Sequence, residues 1–257
     1  EARTEDEEAL TIALIMRETL ETAEKTAALV TPDPALARRV KARLRRWNVD
    51  VDYSQGEPLE ETGTGSFLSG LLKLAEDPES PVDLAFICKH PLVGLGGRQG
   101  DLRRAWNVLE AEYFRGVRPG DMRGNDILKP LYRGLSVITD GAQKRLAPDW
   151  AGAFVHAAES FAASVETPGA DILWQGEAGE AAAKLFEDLI AYGAALGEMN
   201  LAGFARLIGT LMRGRVVRAR FGTHPRLQIL GPLEARMLDA DRIILGGLNE
   251  GVWPAGL

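Results

Sequence analysis

The stretch 226–254, RLQILGPLEARMLDADRIILGGLNEGVWP, constrains the fold more than any other part of the chain. Its apolar runs 227–230 and 243–245 are rich in leucine and β-branched residues and too short for helices, so they predict buried strands. Each runs into glycine: Gly231-Pro232 after the first, and Gly246-Gly247 followed by Leu248-Asn249-Glu250-Gly251 after the second. Strand ends of this kind are where α/β sheets present ligand-facing groups, because the backbone can come close and amides are left unpaired. A plain strand-turn-strand satisfies the same pattern, so the stretch requires a sheet without yet requiring a ligand.

The amino-terminal part supplies partners for such a sheet. Residues 4–22 are helix formers with Ala9, Ile12, Ala13, Met16 and Leu20 on one face. A short apolar run, 27–30, then meets Thr31-Pro32-Asp33-Pro34, where Asp33 can cap a new helix and Pro34 suits its first position. That helix buries Leu36, Val40, Leu44 and Trp47 and turns its arginines outward, as a solvated face or as a DNA-binding one. Residues 49–53 read as a second strand, completing a helix-strand-helix-strand unit with a parallel crossover.

Between these ends the pattern is helical. Residues 57–65 form a polar, glycine-containing loop, and helices follow over 66–75, 82–89 with Ser80-Pro81 as the start signal, 98–115, 123–143, 149–166, 177–196 and 201–213. Asn200 caps the last of these and Gly214 stops it. The expected topology is a small parallel α/β sheet interrupted by a helical insertion, with both terminal segments meeting in one sheet.

A formal net charge of -7 on 257 residues argues against wholesale coating of nucleic acid, so any nucleic-acid contact must be local. A local basic island exists: between Leu201 and Leu233 no acidic residue occurs, while Arg206, Arg213, Arg215, Arg218, Arg220 and Arg226 accumulate. Such arginines can neutralise phosphates. They can equally pair with the acidic residues Glu5, Asp6, Glu7 and Glu8 or ride at a helix carboxyl end. The single cysteine, Cys88, excludes an internal disulfide and a multi-cysteine metal site, and its apolar surroundings read as a buried inert thiol. His90, His156 and His224 lie at no metal-ligand spacing, and no metal is expected. The glycine-rich loop 91–100 lacks the Gly-Lys-Ser/Thr ending of a phosphate loop and reads as a tight turn. No nucleophile elbow and no carboxylate cluster beside a lysine occurs, so the chain does not read as catalytic by itself. No run reaches the roughly 18 apolar residues of a membrane span, and a cytoplasmic location is expected. With no initiator methionine and a stop just past a strand-loop unit, the chain reads as an excised fragment.

The order of helix, ALVTPD, ALARRVKARLRRWNVDVD, helical middle and a strand running into GLNEGVWP resembles the second RecA-like domain of superfamily I helicases of the UvrD/Rep type. More closely, KHPLVGLGG, the LE and RG of LEAEYFRG, and HPRLQILGPLEARMLDADRIILGGLNEGVWP resemble AddB subunits of the bacterial AddAB helicase-nucleases, which process double-strand breaks. The resemblance implies a RecA-like, 2A-type half at 1–75 and 223–257 and an all-helical 2B-like insertion at 76–222. It also implies departures from a working motor. Where an active helicase has an arginine reaching the ATP γ-phosphate, this chain has Thr31. Its counterpart of the fifth motif, Gly231, Leu233, Ala235, Arg236, Met237, Leu238 and Asp239, with Glu234 also in the degenerate stretch, has lost the threonine and histidine that would hold DNA and keeps the positive charge of Arg236.

What the resemblance implies for function is a DNA-binding, motor-inactive module of a parent that is an ATP-dependent helicase and exonuclease of DNA repair and recombination. The expected partners are single-stranded DNA or break ends and an AddA-type helicase subunit, with no membrane partner and no cofactor in this fragment. Phosphate contacts are expected from Arg213, Arg215, Arg218, Arg220, Arg226 and Arg236. Asn249 and Glu250 would shape the adjoining loop, and Trp253 would stack a base or pack under the sheet. The alternative is a scaffold that docks the AddA subunit or the nuclease domain without touching DNA.

Overall fold

Leu227–Leu230 and Arg242–Leu245 are both strands, and a third strand from the other end of the chain, Ala27–Val30, lies between them. The computed structural model describes residues 2–98, 100–114, 124–139, 144–218, 223–237 and 239–249, without the side chains of 113, 114 and 237. In chain order the elements are α1 (Glu5–Leu20), β1 (Ala27–Val30), α2 (Pro34–Arg45), β2 (Asp52–Tyr53), β3 (Glu57–Pro58), α3 (Gly63–Glu76), α4 (Pro81–Lys89), α5 (Asp101–Leu109), α6 (Lys129–Thr139) and β4 (Arg145–Leu146). They continue with α7 (Ala147–Ala162), α8 (Gly169–Leu173), α9 (Gly176–Tyr192), β5 (Glu198–Met199), α10 (Leu201–Arg213), β6 (Val216–Val217), β7 (Leu227–Leu230) and β8 (Arg242–Leu245). The chain divides into two units, 1–57 with 218–257, and 58–217.

The first unit holds a four-stranded parallel sheet of order β2-β7-β1-β8, in which Leu29 is level with Ile229 on one side and Ile244 on the other. Helices α1 and α2 bury Ala9, Ile12, Ala13, Met16, Leu36, Val40 and Leu44 against Leu29, Leu227 and Ile229. Each large apolar side chain removed from water there contributes about 1.5–3 kcal/mol. Asp33 caps α2 by accepting from the Ala35 amide at 2.7 Å, with Pro34 at the first helical position. Thr4 caps α1, whose four acidic residues in the first turn favour the positive end of the helix dipole. Two of them are also paired, Glu5 with Arg39 at 2.5 Å and Asp6 with Arg43 at 3.2 Å. The strand expected over 49–53 is confined to Asp52–Tyr53.

The second unit is built mainly of helices around Phe67, Trp106, Trp150, Phe154, Phe161 and Phe204. It is not all-helical: β4 pairs antiparallel with β5, and β6 is hydrogen-bonded to β3. The loop expected over 57–65 is instead β3, a 3-10 turn over Leu59–Glu61 and the start of α3, because the Thr62 hydroxyl caps the Gly65 amide at 3.0 Å. Helix α3, placed with the strands by the sequence division at residue 75, buries Phe67, Leu68, Leu71 and Leu74 in this second core. The helix expected over 98–115 ends as a π-turn at Glu110–Phe114, and that over 123–143 begins only at Lys129. The protein is thus a mixed α/β chain with one parallel sheet and ten α-helices among the described residues. No helix among those residues is long and apolar enough to cross a membrane.

Candidate functional site

The connection from β1 through α2 to β2 passes over the position of β7, and the one from β7 to β8 passes over β1 in the opposite sense. The carboxyl ends of β1 and β7 therefore flank the point where strand order reverses, the usual ligand crevice of a parallel sheet. At the end of β1 the Thr31 amide donates to the Leu230 carbonyl at 3.0 Å, and its hydroxyl accepts from the Asp33 amide at 3.1 Å. Thr31 is 1% exposed. At the end of β7 lies Gly231, where a Cβ would stand 2.1 Å from Gln55 Nε2 and 2.5 Å from Glu234 Oε2. With no Cβ at Gly231, that amide and that carboxylate can close on the strand end.

Tyr53 is buried and donates its hydroxyl to Gln55 Oε1 at 2.9 Å. Its phenol is pushed up chiefly by burial; Arg38 opposes the shift, and the negative charges of Asp33 and Glu234 add to it. Tyr53, Gln55 and Arg38 thus join Thr31, Gly231 and Glu234 at the crevice, although none of the three stands out in sequence. Nearby, Ser54 Oγ is buried without a hydrogen-bond partner among the described residues. The Gly247 amide is already taken by Glu8 Oε1 at 2.8 Å, so the Gly-Gly loop offers no free amide at that position. Leu233, Glu234, Arg236, Asp239 and Asn249 are exposed, whereas Glu250 and Trp253 lie outside the described residues.

Several members of the basic island are engaged by their own surroundings. Arg226 donates to the carbonyls of Leu20, Thr22 and Lys25 at 3.2, 2.8 and 3.3 Å, clamping the carboxyl end of α1. Arg215 is held by Asp188 at 2.9 Å, and its bond lowers the Asp188 carboxyl below the ordinary range. Arg213 reaches Glu60 at 3.4 Å. Arg218 and Arg236 are exposed and make no ion pair among the described residues, while Arg220 lies outside them. The acidic start of α1, proposed from sequence as a partner for the island, is engaged instead by Arg39 and Arg43 of α2.

Other candidates resolve as structure. The glycine-rich loop spends its amides on the end of α7: Gly94 and Leu95 donate to the Phe161 carbonyl at 2.9 and 3.0 Å, and Gly96 to that of Ala163 at 2.8 Å. His90 Nε2 stands 3.3 Å from Ser66 Oγ, which suggests a nucleophile and its base. The Leu92 amide, however, donates to His90 Nδ1 at 3.2 Å, so the neutral ring carries its proton on Nε2 and donates to Ser66. Ser66 in turn donates to the Gly63 carbonyl at 2.9 Å. A general base would need its lone pair on the other nitrogen. Cys88 is buried, and its thiol is pushed up to about 12 by burial. Among the described residues no group of three or more His, Cys, Asp or Glu could hold a metal.

In the second unit a cleft of about 320 Å³ lies between α3 and α10, lined by Lys73, Arg206 and Arg213 with Glu60 and Glu76. No protein-family model matches the sequence, and no curated protein matches it.

Proposed function

We propose that the chain is a helicase-like, motor-inactive DNA-binding module of an AddB-type subunit, acting in double-strand break repair and homologous recombination. Its partners in this reading are single-stranded DNA or break ends and an AddA-type helicase subunit, in the cytoplasm. The sheet would be the RecA-like, 2A-type half and the helical residues its 2B-like insertion. The observation that carries the reading is the adjacency of Thr31 and Gly231 at neighbouring strand ends, although 58–217 intervene in sequence. These are the positions that match the fourth and fifth helicase motifs, which act on one site in the helicases the chain resembles.

The same geometry supports the motor-inactive part of the reading. The Thr31 hydroxyl is committed to the Asp33 amide and sealed from solvent, so it cannot serve a γ-phosphate as an arginine would. Of the cations nominated from sequence, Arg218 and Arg236 remain available for phosphates. The test is anisotropy of a labelled single-stranded oligonucleotide over a salt series. Binding at low salt is expected, with the slope of log K against log salt falling by about 0.7 for each phosphate that Arg218→Ala or Arg236→Ala leaves without its cation. Absence of binding at low salt overturns the reading.

A second reading, a docking scaffold, draws on Ile243, Leu245 and Leu248, 52, 53 and 56% exposed on or just after the edge strand β8, and on Leu233, 71% exposed after β7. Exposed apolar side chains grouped along a sheet edge favour a protein partner. Loss of AddA co-purification in a Leu233→Asp, Ile243→Asp variant with unchanged oligonucleotide affinity would favour it.

A further inference from the structure

We propose that the groove between α3 and α10 seats one phosphodiester of a single-stranded nucleic acid. The inference rests on the nucleic-acid reading above and names a site for it within residues 58–217. On α3, Ser69, Lys73 and Glu76 recur at spacings of four and three; on α10, Arg206, Thr210 and Arg213 do the same, and both rows open on the same cleft. Its floor is made by Leu72 and Met212, both buried, and by Gly209, whose lack of a side chain keeps the groove open.

Charge decides what such a groove takes. Lys73 and Arg206 are exposed, and neither makes an ion pair among the described residues. Arg213 reaches Glu60 at 3.4 Å and Thr210 Oγ1 at 3.3 Å with 61% of its side chain exposed, weak solvent-screened contacts that an incoming anion can replace. Three cations against the two carboxylates Glu60 and Glu76 leave a single positive charge, which matches one phosphodiester and disfavours a dianion. Arg206 supplies a planar fork for two phosphate oxygens and Lys73 a point charge. The volume falls in the range of small-ligand sites, about 300–1,000 Å³. A peptide carboxylate carries the same single charge, and the nucleic-acid reading favours the phosphodiester.

The experiment titrates the 257-residue chain with a fluorescein-labelled oligothymidylate across a salt series, comparing wild type with Lys73→Ala, Arg206→Ala and with Glu76→Gln. The double variant is expected to bind several-fold more weakly, with a salt slope shallower by about 0.7. Glu76→Gln, which removes a repelling carboxylate, is expected to bind more tightly, a gain that loss of folding cannot mimic. If wild type binds and both variants match it in affinity and slope, the groove assignment fails while the nucleic-acid reading stands. If wild type does not bind at low salt, the nucleic-acid reading fails and the groove assignment with it. A labelled polyglutamate peptide that binds more tightly than the oligothymidylate, and loses that binding in the double variant, overturns the ligand class.

Discussion

Arg226 separates two meanings of a positive charge, and its replacement by alanine is the most decisive substitution. Its guanidinium spans three backbone carbonyls at the end of α1, Leu20, Thr22 and Lys25, at 2.8–3.3 Å, from the residue directly before β7. A hydrogen bond from a charged donor contributes roughly 1.5–3 kcal/mol when shielded. The bonds to Thr22 and Lys25 are exposed and replaceable by water, so most of the effect comes from the part-buried one to Leu20. The cation at a helix carboxyl end adds about 0.3–1 kcal/mol. Together these give a destabilisation of about 2 kcal/mol, or a fall of about 30-fold in the protection of amides that exchange by global opening of this unit. Hydrogen exchange at the β1 and β7 amides reads this unit alone, which a bulk unfolding curve of a two-unit chain does not. Arg226→Lys keeps the charge but cannot span three carbonyls, and should recover only part of the loss. The salt slope of oligonucleotide binding should not change. Unchanged protection together with a slope shallower by about 0.7 would refute the clamp and return Arg226 to the phosphate contacts.

Three further outcomes are expected. Burial lowers the His90 pKa from 6.5, so as pH falls the unfolded chain takes up the proton first. The His90 contribution is therefore complete above about pH 6.5 and is lost as pH falls towards the folded value; the drop in urea midpoint from pH 8 to pH 5 should shrink in His90→Gln, and an equal drop in both proteins contradicts this. Cys88, pushed up to about 12 and 2% exposed, should resist a thiol reagent in the native protein and react fully in denaturant; native labelling at the rate of a free thiol contradicts its burial. At Gly65 a Cβ would lie 1.7 Å from the Leu59 carbonyl oxygen, so Gly65→Ala should cost more than about 3 kcal/mol in thermal unfolding, whereas Gly152→Ala, with nothing within 4 Å, should be neutral or stabilising by about 0.5–1 kcal/mol.

Helix starts were the most legible part of the fold because groups within three residues decide them. Asp33, Ser80 and Asn200 all cap as their sequence context requires, accepting from the amides of Ala35, Asp83 and Gly203. The meeting of the two chain ends in one sheet also followed from where the strands fall. The interleaving of β1 between β7 and β8 did not, since these three short apolar runs carry no local mark of their neighbours. The ladder of Arg145 and Leu146 with Met199 and Glu198 was invisible for a different reason: two residues are too few to show a period. The start of α3 was hidden for a third reason: the polar composition of 57–65 resembles a loop, while the cap at Thr62 starts the helix inside it.

The site was less legible because sequence records identity, whereas function needs availability. The acid-free run made Arg213, Arg215 and Arg226 look like one surface, yet their partners Glu60, Asp188 and the end of α1 come from distant segments. Conversely, Lys73 sits three residues before Glu76 and looks compensated along the helix, although the two make no ion pair. Its significance arises only when α10 brings Arg206 to the same cleft. The strand-end crevice shows the same asymmetry. Gly231 was conspicuous as a glycine after a strand, but Gln55 and Tyr53, whose hydrogen bond stands beside it, follow the unremarkable run around β2. A cation becomes a candidate phosphate ligand only after the fold has assigned its neighbours. Arg206, Arg218 and Arg236, which have no acid or carbonyl partner among the described residues, are therefore better candidates than their more conspicuous sequence neighbours.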